Sequence, residues 1–359
     1  MSRPTEAGRS GDVTGGLPVP AVADSSPAMA GLTEVVASLR GLGLLAPDES
    51  AGFTPLTGGV SSDIVLVRVA DRQFCIKRAL SKLKVAALWE APVARNGAEA
   101  AWLSTVADWL PGSVPALLGE DPSLGLFAME YLAPGQFPVW KTELRDGVID
   151  ADFAALVGTR LVEIHSRSAD RPDLALRFAN DQTFEQIRIE PYLRATALKN
   201  PDLTPTLDDI AAVTLATRRV LVHGDVSPKN ILHGPDGPVF LDAECAWYGD
   251  PAFDLAFCLK HLLLKGAWKP QWRAGYLECF ERLARAYLAG VGWEPAAAFE
   301  RRCARLLPAL WLARIDGKSP VEYLVDEAQR APVRQLARRL LQSPVGRLGE
   351  IAGNWRELT

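Results

Sequence analysis

The segment that decides the fold is VLVHGDVSPKNILHGPDGPVFLDAE, residues 220–244. Its first apolar run leads into a polar loop that holds Asp225 and Asn230, and a second apolar run leads to Asp242 and Glu244. Asp225 and Asn230 lie five residues apart on one loop, so one side chain can face a substrate while the other faces a metal ion. The adjacent predicted strand delivers Asp242 to the same point. The segment therefore predicts a site built from carboxylate and amide oxygens.

These residue types match the needs of one reaction, the transfer of a phosphoryl group from ATP. That reaction requires a carboxylate that orients and deprotonates a hydroxyl group, together with oxygen ligands for Mg²⁺. Mg²⁺ takes a few carboxylate and amide oxygens and completes its shell with phosphates and water. Asp225, Asn230 and Asp242 provide such a set.

Two motifs resemble a known family. HGDVSPKN, residues 223–230, resembles the H-G-D-x-x-x-x-N catalytic loop of aminoglycoside phosphotransferases, choline kinases and methylthioribose kinases, a relative of the protein-kinase loop. LDAECAWYGDPAFDLA, residues 241–256, resembles the segment that follows this loop in the family. The resemblance covers ordered motifs over about residues 53–265. It implies an α+β, two-lobed protein-kinase-like fold, and an ATP-dependent kinase that acts on a small hydroxylated molecule.

The resemblance also implies a role for each matched residue. Asp225 would take the proton of the acceptor hydroxyl or orient that hydroxyl. Asn230 and Asp242 would hold Mg²⁺, and Glu244 would act beside them as an outer-shell or second-metal group.

Two further residues of the motif would support the loop. His223 would pack and hydrogen-bond to hold it, and Asp254 resembles the helix-start Asp that accepts hydrogen bonds from the loop backbone.

The ordinary alternative is that an isolated H-x-D is structural or belongs to a metal-dependent hydrolase. The spacing of Asn230 and Asp242, followed by Gly-Asp-Pro at 249–251 and by Asp254, favours kinase chemistry.

A glycine-containing turn lies where the ATP phosphates would be covered. TGGVSS, residues 57–62, separates two predicted strands. Glycines let the backbone approach phosphates, and successive N–H groups form an anion-binding nest, so Gly58, Gly59, Ser61 and Ser62 are candidate phosphate contacts. Most Gly-Gly pairs are simple turns, and this one departs from the G-x-G-x-x-G of protein kinases.

Lys77 is the candidate for the phosphate-binding lysine. It follows Gly59 by 18 positions and lies in the apolar run FCIKRA. Burying an unpaired ammonium is costly, and a contact with the α- and β-phosphates of ATP would explain this position. The alternative is a solvent-facing lysine on an edge strand. The expected acidic partner is Glu99, on a predicted helix, with Glu90 as the competitor.

The pattern of the chain predicts three regions. Residues 1–30 are rich in Gly, Ser, Pro and Ala, which predicts a disordered tail. Residues 31–132 form a nucleotide-binding lobe with an antiparallel sheet, and residues 133–359 form a helical lobe that carries the catalytic loop and the acceptor site. At the junction, fold analogy assigns the backbone of Glu130 and Leu132 to adenine.

Short-range patterns predict the individual elements. DIVLVRVA and RQFCIKRA form a hairpin around Asp71-Arg72, and ILHGP and PVFLDAE form a strand pair that flanks Asp236-Gly237. Helical patterns are predicted near 96–110, 151–168, 205–218, 252–265, 270–289, 296–315 and 322–342.

Composition excludes other classes of protein. The chain has 359 residues, 48% apolar and 23% charged, close to the soluble globular average. A formal net charge of −4 gives no basic footprint for nucleic acid, and no apolar run is long enough for a transmembrane helix. Five cysteines without a C-x-x-C pair suit reduced thiols, and the N-terminus lacks the apolar core of a secretory signal. We expect a cytoplasmic protein that binds neither nucleic acid nor membrane.

The acceptor is the least defined partner. From Arg301 onward the chain has 11 Lys and Arg against 6 Asp and Glu, which leans against a polycation such as an aminoglycoside. These arginines are equally consistent with a solvated helix face. Arg314 and Asp316, in a predicted loop after an apolar helix, are candidates to face the acceptor, which would be a metabolite, a sugar or an antibiotic.

Other functions remain open at this point. A catalytically weak nucleotide-binding regulatory module would have lost a base or a metal ligand, and a metal-dependent hydrolase would use His223, Asp225 and Asp242. A protein kinase needs a platform for a peptide, but only 12 positions separate Asp242 from Asp254. A small acceptor is therefore preferred.

Overall fold

The computed structural model describes residues 31–56, 62–79 and 95–358. Several sequence predictions lie outside these ranges, namely Gly58, Gly59, Ser61, Glu90 and the tail at 1–30.

The N-terminal lobe contains a five-stranded antiparallel sheet. Its strands are β1 (Gly52–Leu56), β2 (Ser62–Val69), β3 (Arg72–Ala79), β4 (Leu117–Asp121) and β5 (Leu126–Glu130). They lie in the order β1-β2-β3-β5-β4. The predicted hairpin is confirmed as β2 and β3, with Val69 opposite Arg72.

The alternation of β3 sends its side chains to two different places. Phe74 and Ile76 pack on one face in a cluster with Val35 of helix α1 (Leu32–Gly41). Lys77 faces the other way, toward helix α2 (Arg95–Trp109). Because β3 lies between β2 and β5, the edge-strand alternative for this lysine is wrong.

The C-terminal lobe is mainly helical and includes one π-helical segment. Its helices are α3 (Trp140–Asp146), α4 (Ala151–Ser168), α5 (Pro172–Arg177), α6 (Asp181–Phe184), the π-helical segment Glu185–Arg194, α7 (Ala195–Lys199), α8 (Thr204–Ala216), α9 (Pro251–Trp268), α10 (Arg273–Ala289), α11 (Ala296–Asp316), α12 (Glu327–Gln342) and α13 (Leu348–Arg356). No helix of the described ranges is long and apolar enough to cross a membrane.

Helix α9 is the central helix of this lobe. Asp250 caps it by accepting a hydrogen bond from the Ala252 N–H at 3.0 Å, and Pro251 begins it. Nearly every residue of α9 is buried, including the charged residues Asp254, Lys260 and Lys265. It packs against α10 and α11.

Two small strand pairs flank the loop of residues 223–230. β6 (Val220–Val222) pairs with β9 (Trp247–Gly249), and β7 (Ile231–Gly234) pairs with β8 (Gly237–Phe240), which confirms the predicted pair. The predicted second strand was too long, because β8 ends at Phe240.

The strand ends there for a local reason. The Leu241 N–H donates to the backbone oxygen of Asn230 at 2.9 Å, and Asp242 then takes a φ of 66°. Non-glycine residues rarely adopt this left-handed conformation, and it occurs preferentially at functional sites. A tight turn therefore presents Asp242, rather than the strand that the sequence predicted.

One helix boundary also differs from the prediction. The last long amphipathic helix was predicted from residue 322, but α12 begins at Glu327. Asp326 caps it by accepting a hydrogen bond from the Ala328 N–H at 2.9 Å. The cap, and not the apolar pattern before it, sets the start of this helix.

Candidate active site

One buried carboxylate fixes the loop of residues 223–230 to α9. Asp254 accepts hydrogen bonds from the backbone N–H of His223 at 2.7 Å and of Gly224 at 2.8 Å, the arrangement that the sequence predicted for it. Gly224 has a φ of 80°, and a Cβ at this position would lie 2.6 Å from the backbone oxygen of Cys245. The loop therefore requires glycine here.

A second buried group holds Asp254 from behind. His165 of α4 places Nε2 3.2 Å from Oδ2 of Asp254, and its Nδ1 lies 2.6 Å from the hydroxyl of Tyr287. The Tyr287 hydroxyl can donate to Nδ1 while Nε2–H donates to the carboxylate. This chain of hydrogen bonds orients Asp254 toward the loop, and no sequence pattern indicated it.

His223 has both ring nitrogens occupied. Its Nδ1 accepts a hydrogen bond from the Asp225 N–H at 3.1 Å, and its Nε2 donates to the backbone oxygen of Leu241 at 3.0 Å. This pattern requires the neutral ring, and burial lowers the pKa of His223. Neither nitrogen is free to ligate a metal ion, which argues against the hydrolase hypothesis.

Asp225 lies at the centre of the loop and is buried. Its Oδ2 accepts from Asn230 Nδ2 at 2.9 Å and lies 3.1 Å from Nη2 of Arg188 and 2.9 Å from Nζ of Lys229. Burial opposes ionisation, but the two cations outweigh it, so the pKa of Asp225 lies below its usual value. An ionised, weakly basic carboxylate is suited to orienting a hydroxyl group.

Sequence reasoning missed both cations beside Asp225. Lys229 also lies 3.5 Å from Oδ2 of Asp242, and its side chain is 51% exposed, so it can reach a ligand between the two carboxylates. Its position four residues after Asp225 in the loop was an available signal. Arg188 had none, because it belongs to the π-helical segment, where Pro191 interrupts any helical pattern.

Lys77 joins the two lobes. Its Nζ lies 2.6 Å from Oε2 of Glu99 on α2 and 2.6 Å from Oδ1 of Asp242. The structure thus brings together the lysine and the partner that the sequence predicted for it. Lys77 and Glu99 are both almost fully buried.

The two carboxylates around Lys77 differ in acidity. Burial raises the pKa of Glu99 to about 7, even though the Lys77 ammonium opposes this shift. Burial also acts on Asp242, but the ammonium groups of Lys77 and Lys229 hold the pKa of this carboxyl well below its usual range. Asp242 is therefore the stronger acid and keeps its charge.

The donor set of the site fits Mg²⁺. Asn230 donates through Nδ2 to Asp225, which leaves its Oδ1 as an acceptor, and Asp242 supplies a carboxylate. In the part of the chain that the structure describes, no group of three or more His, Cys, Asp or Glu converges as a metal cluster. One amide and one carboxylate suffice for Mg²⁺ when phosphates and water complete its shell.

Glu244, expected to act as an outer-shell or second-metal group, is bound to an arginine. Its Oε2 lies 3.0 Å from Nε of Arg95, which is buried at the start of α2. The pair forms a second link between α2 and the segment after β8. A second-metal role for Glu244 would require it to leave this partner.

The residues assigned to the nucleotide lie at the edge of the sheet. Glu130 ends β5, and its N–H donates to the Ala116 oxygen at 2.9 Å, so this N–H is not available to adenine. Leu132 follows the strand and is half-buried. Ser62 begins β2 and is buried. The assignment of all three to ATP stays a prediction.

The two acceptor candidates, Arg314 and Asp316, both lie on α11 but contact different residues. Asp316 is bound by Arg334 of α12 at 2.8 and 2.9 Å, so another helix takes up its charge. Arg314 donates to the Ser319 hydroxyl at 2.9 Å, and its charge acts on Lys260 of α9. The prediction that both residues lie in a loop is wrong, because α11 continues to Asp316. Their role toward the acceptor stays a prediction.

The two lobes and the loop between β6 and β7 define a kinase-like fold. The chain belongs to the phosphotransferase enzyme family, whose model matches residues 52–299. The fold expected from the sequence is confirmed.

Individual relatives are distant small-molecule kinases. The chain is 26% identical over 242 residues to methylthioribose kinase of Escherichia coli O45:K1, covering 59% of this chain and 57% of that protein. It is 28% identical over 186 residues to a probable ketoamine kinase of Klebsiella aerogenes, covering 46% of this chain and 60% of that one. The chain thus spans less than two thirds of the length of these relatives.

The solved structures establish the fold. Choline kinase from Cryptosporidium parvum Iowa II superposes with a TM-score of 0.53 at 12% identity, covering 90% of this chain and 99% of that chain. At this identity the likeness concerns architecture and carries no information on the acceptor.

Proposed function

We propose that the protein is an ATP-dependent kinase that transfers the γ-phosphoryl group to a hydroxyl of a small molecule. The observation that carries this proposal is the convergence of Lys77, Asp225 and Asp242 from two lobes on one site. Lys77 and Asp242 are in contact, and Lys229 bridges Asp242 to Asp225. The phosphoryl group would cross this short space between nucleotide and acceptor.

Each residue would have a distinct part in the reaction. Asp225 would accept a hydrogen bond from the acceptor hydroxyl and receive its proton as the hydroxyl oxygen bonds to the γ-phosphorus. The bond from the γ-phosphorus to the β–γ bridging oxygen would break in the same transfer, and ADP would leave. Lys77 and Lys229 would stabilise the charge on the phosphates, since positioned cations act most strongly in a site that excludes water. Mg²⁺, held by Asn230 and Asp242, would neutralise charge on the β- and γ-phosphates.

A purely nucleotide-binding module receives no support from the site. Such a module would have lost its base or a metal ligand, whereas Asp225, Asn230 and Asp242 are all present and mutually positioned. Loop geometry is maintained by the buried carboxylate of Asp254. This arrangement supports the hypothesis of an active kinase.

Turnover with Mg·ATP and pooled acceptors tests the proposal. ADP release would be measured with sugars, methylthioribose, ketoamines, amino alcohols, hydroxy acids, sugar phosphates and aminoglycosides, for the wild type and for Asp225→Ala. Acceptor-dependent release that disappears in the variant is the expected result. A protein that does not bind Mg·ATP, or release that persists in Asp225→Ala, would refute the proposal.

A further inference from the structure

Lys260 of α9 is a buried ammonium without a hydrogen-bond partner among the described residues. Its side chain is 0% exposed, with Nζ 2.8 Å from the ring centroid of Phe257 and 4.6 Å from that of Tyr192. Burial lowers the pKa of Lys260 well below its usual value. Aromatic faces attract a cation, but they do not replace the hydrogen bonds that an ammonium loses on leaving water.

The charged neighbours of Lys260 are mainly cations. Arg314 of α11 is the charge that acts most strongly on it, and Arg188 also acts on it from the π-helical segment. The Arg188 guanidinium lies 5.7 Å from the centroid of the same Phe257 ring. Three elements thus bring positive groups to one place. We call Lys260, Arg188 and Arg314 the cationic cluster.

The cationic cluster lies beside the catalytic carboxylate. Arg188 contacts Oδ2 of Asp225 at 3.1 Å, and the Asp225 charge acts on Lys260. Nε of Arg314 is buried and, within the described part of the chain, also has no hydrogen-bond partner. Donors therefore outnumber acceptors on this side of Asp225, which is the composition of an anion site.

We propose that the cationic cluster binds an anionic group of the acceptor, a carboxylate or a phosphate, and thereby places a hydroxyl of that acceptor at Asp225. This inference rests on the proposed function, whose acceptor class it names. An anion would supply the missing partner for Lys260 and for Arg314. The acceptor would then be a hydroxy acid or a phosphorylated alcohol.

The same geometry disfavours cationic acceptors. A quaternary or primary ammonium would be attracted by the faces of Phe257 and Tyr192. The amino group of Lys260 already lies over both rings, so it occupies the place that such an ammonium would take. A cationic acceptor would also be repelled by Arg188 and Arg314.

Matched acceptors and matched variants test the inference. Initial rates would be compared for glycerate against glycerol, ribose 5-phosphate against ribose, and choline as a cation. The test variant is Lys260→Met. The control is Lys265→Met, which removes another buried ammonium of α9 that lies near the rings of Trp268 and Tyr323 instead.

We expect the anionic member of a pair to be the better substrate. Loss of one charge-assisted contact should raise its KM by about 10- to 100-fold in Lys260→Met, with the KM for ATP unchanged. Lys265→Met should keep the wild-type KM values. Arg314→Gln is the second test variant and should show the same loss. Thermal unfolding of each variant verifies that it is folded.

Two results would overturn the inference. One is preferential turnover of glycerol, ribose or choline, which would leave the kinase proposal intact. The other is an anion preference that survives unchanged in both Lys260→Met and Arg314→Gln.

Direct binding separates failure of the kinase proposal from failure of the inference. If no acceptor releases ADP, calorimetry with glycerate and ribose 5-phosphate would be done on the wild type and on Lys260→Met in the presence of a non-hydrolysable ATP analogue. Binding that Lys260→Met abolishes would uphold the anion site although the kinase proposal fails. Absence of binding in the wild type would overturn the anion site.

Discussion

The ammonium of Lys77 lies 2.6 Å from Oδ1 of Asp242, so a residue of the five-stranded sheet touches the turn that follows β8. Lys77 also contacts Glu99 at 2.6 Å, and one cation therefore serves two carboxylates. Because Lys229 lies near Asp242 as well, Asp242 remains ionised and Glu99 is the group whose charge changes near neutral pH. The charge of Glu99 therefore decides whether Lys77 is paired with one carboxylate or with two.

The pH dependence of ATP use should report Glu99. Burial raises the pKa of Glu99 to about 7, so below this pH the carboxyl takes up a proton and loses its ion pair with Lys77. We expect kcat/KM for ATP to rise through about pH 7 in the wild type, because this parameter reports groups of the free enzyme. Glu99→Gln should be less active and should lack this rise. An identical acidic limb in the Gln variant would assign the titration to another group.

Asp242→Asn should weaken Mg·ATP binding as well as turnover. The substitution keeps the shape of the side chain but removes the charge that faces Lys77 and the expected metal. We expect the apparent Kd for Mg·ATP to rise by roughly tenfold or more. Titration of Mg²⁺ at fixed ATP measures the effect. Asp236→Asn, in the exposed turn between β7 and β8, is the matched control and should behave as wild type. An unchanged Mg²⁺ dependence in Asp242→Asn would mean that the metal lies elsewhere.

Asp225→Asn should separate binding from transfer. Asp225 contacts Asn230, Arg188 and Lys229 through Oδ2 alone. The amide oxygen of Asn can take the place of Oδ2 and keep these three contacts, so the nucleotide side of the site should be preserved. We expect turnover to fall by about 10²- to 10⁴-fold, the range for loss of a positioned proton acceptor. The Kd for Mg·ATP, measured by displacement of a fluorescent analogue, should stay near that of the wild type. Weakened ATP binding with normal turnover would reverse the assignment.

Two kinds of site residue could be predicted from the sequence. Some lie close together in one segment, and one is a charged residue in an otherwise apolar strand. Asp225, Asn230 and Asp242 lie within one segment, so their spacing alone indicated a shared site. Lys77 was notable as a charge in an apolar strand, and this anomaly led to Glu99. In both cases the pattern of residues contained the physical reason.

The cations on the acceptor side could not be predicted in this way. Arg188 reaches Asp225 from a π-helical segment that contains Pro191, and neither helical nor strand periodicity describes such a segment. Lys260 lies on α9, which is buried on all sides, so no amphipathic pattern shows which neighbour it faces. These positions follow from tertiary packing.

Asp254 offers a test of how strongly the loop depends on its support. Its two carboxylate oxygens accept hydrogen bonds from the N–H groups of His223 and Gly224, and His165 contacts Oδ2. Asp254→Asn would direct an amide N–H at another buried donor and leave that donor without an acceptor. We expect the free energy of unfolding in urea to fall by about 1–3 kcal/mol and kcat to fall with it. Asp208→Asn, on the exposed side of α8, should change stability by no more than about 0.5 kcal/mol. Normal stability with a reduced kcat in Asp254→Asn would show that the carboxylate positions the loop but does not stabilise the fold. Wild-type stability and wild-type kcat would show that Asp254 does not support the site.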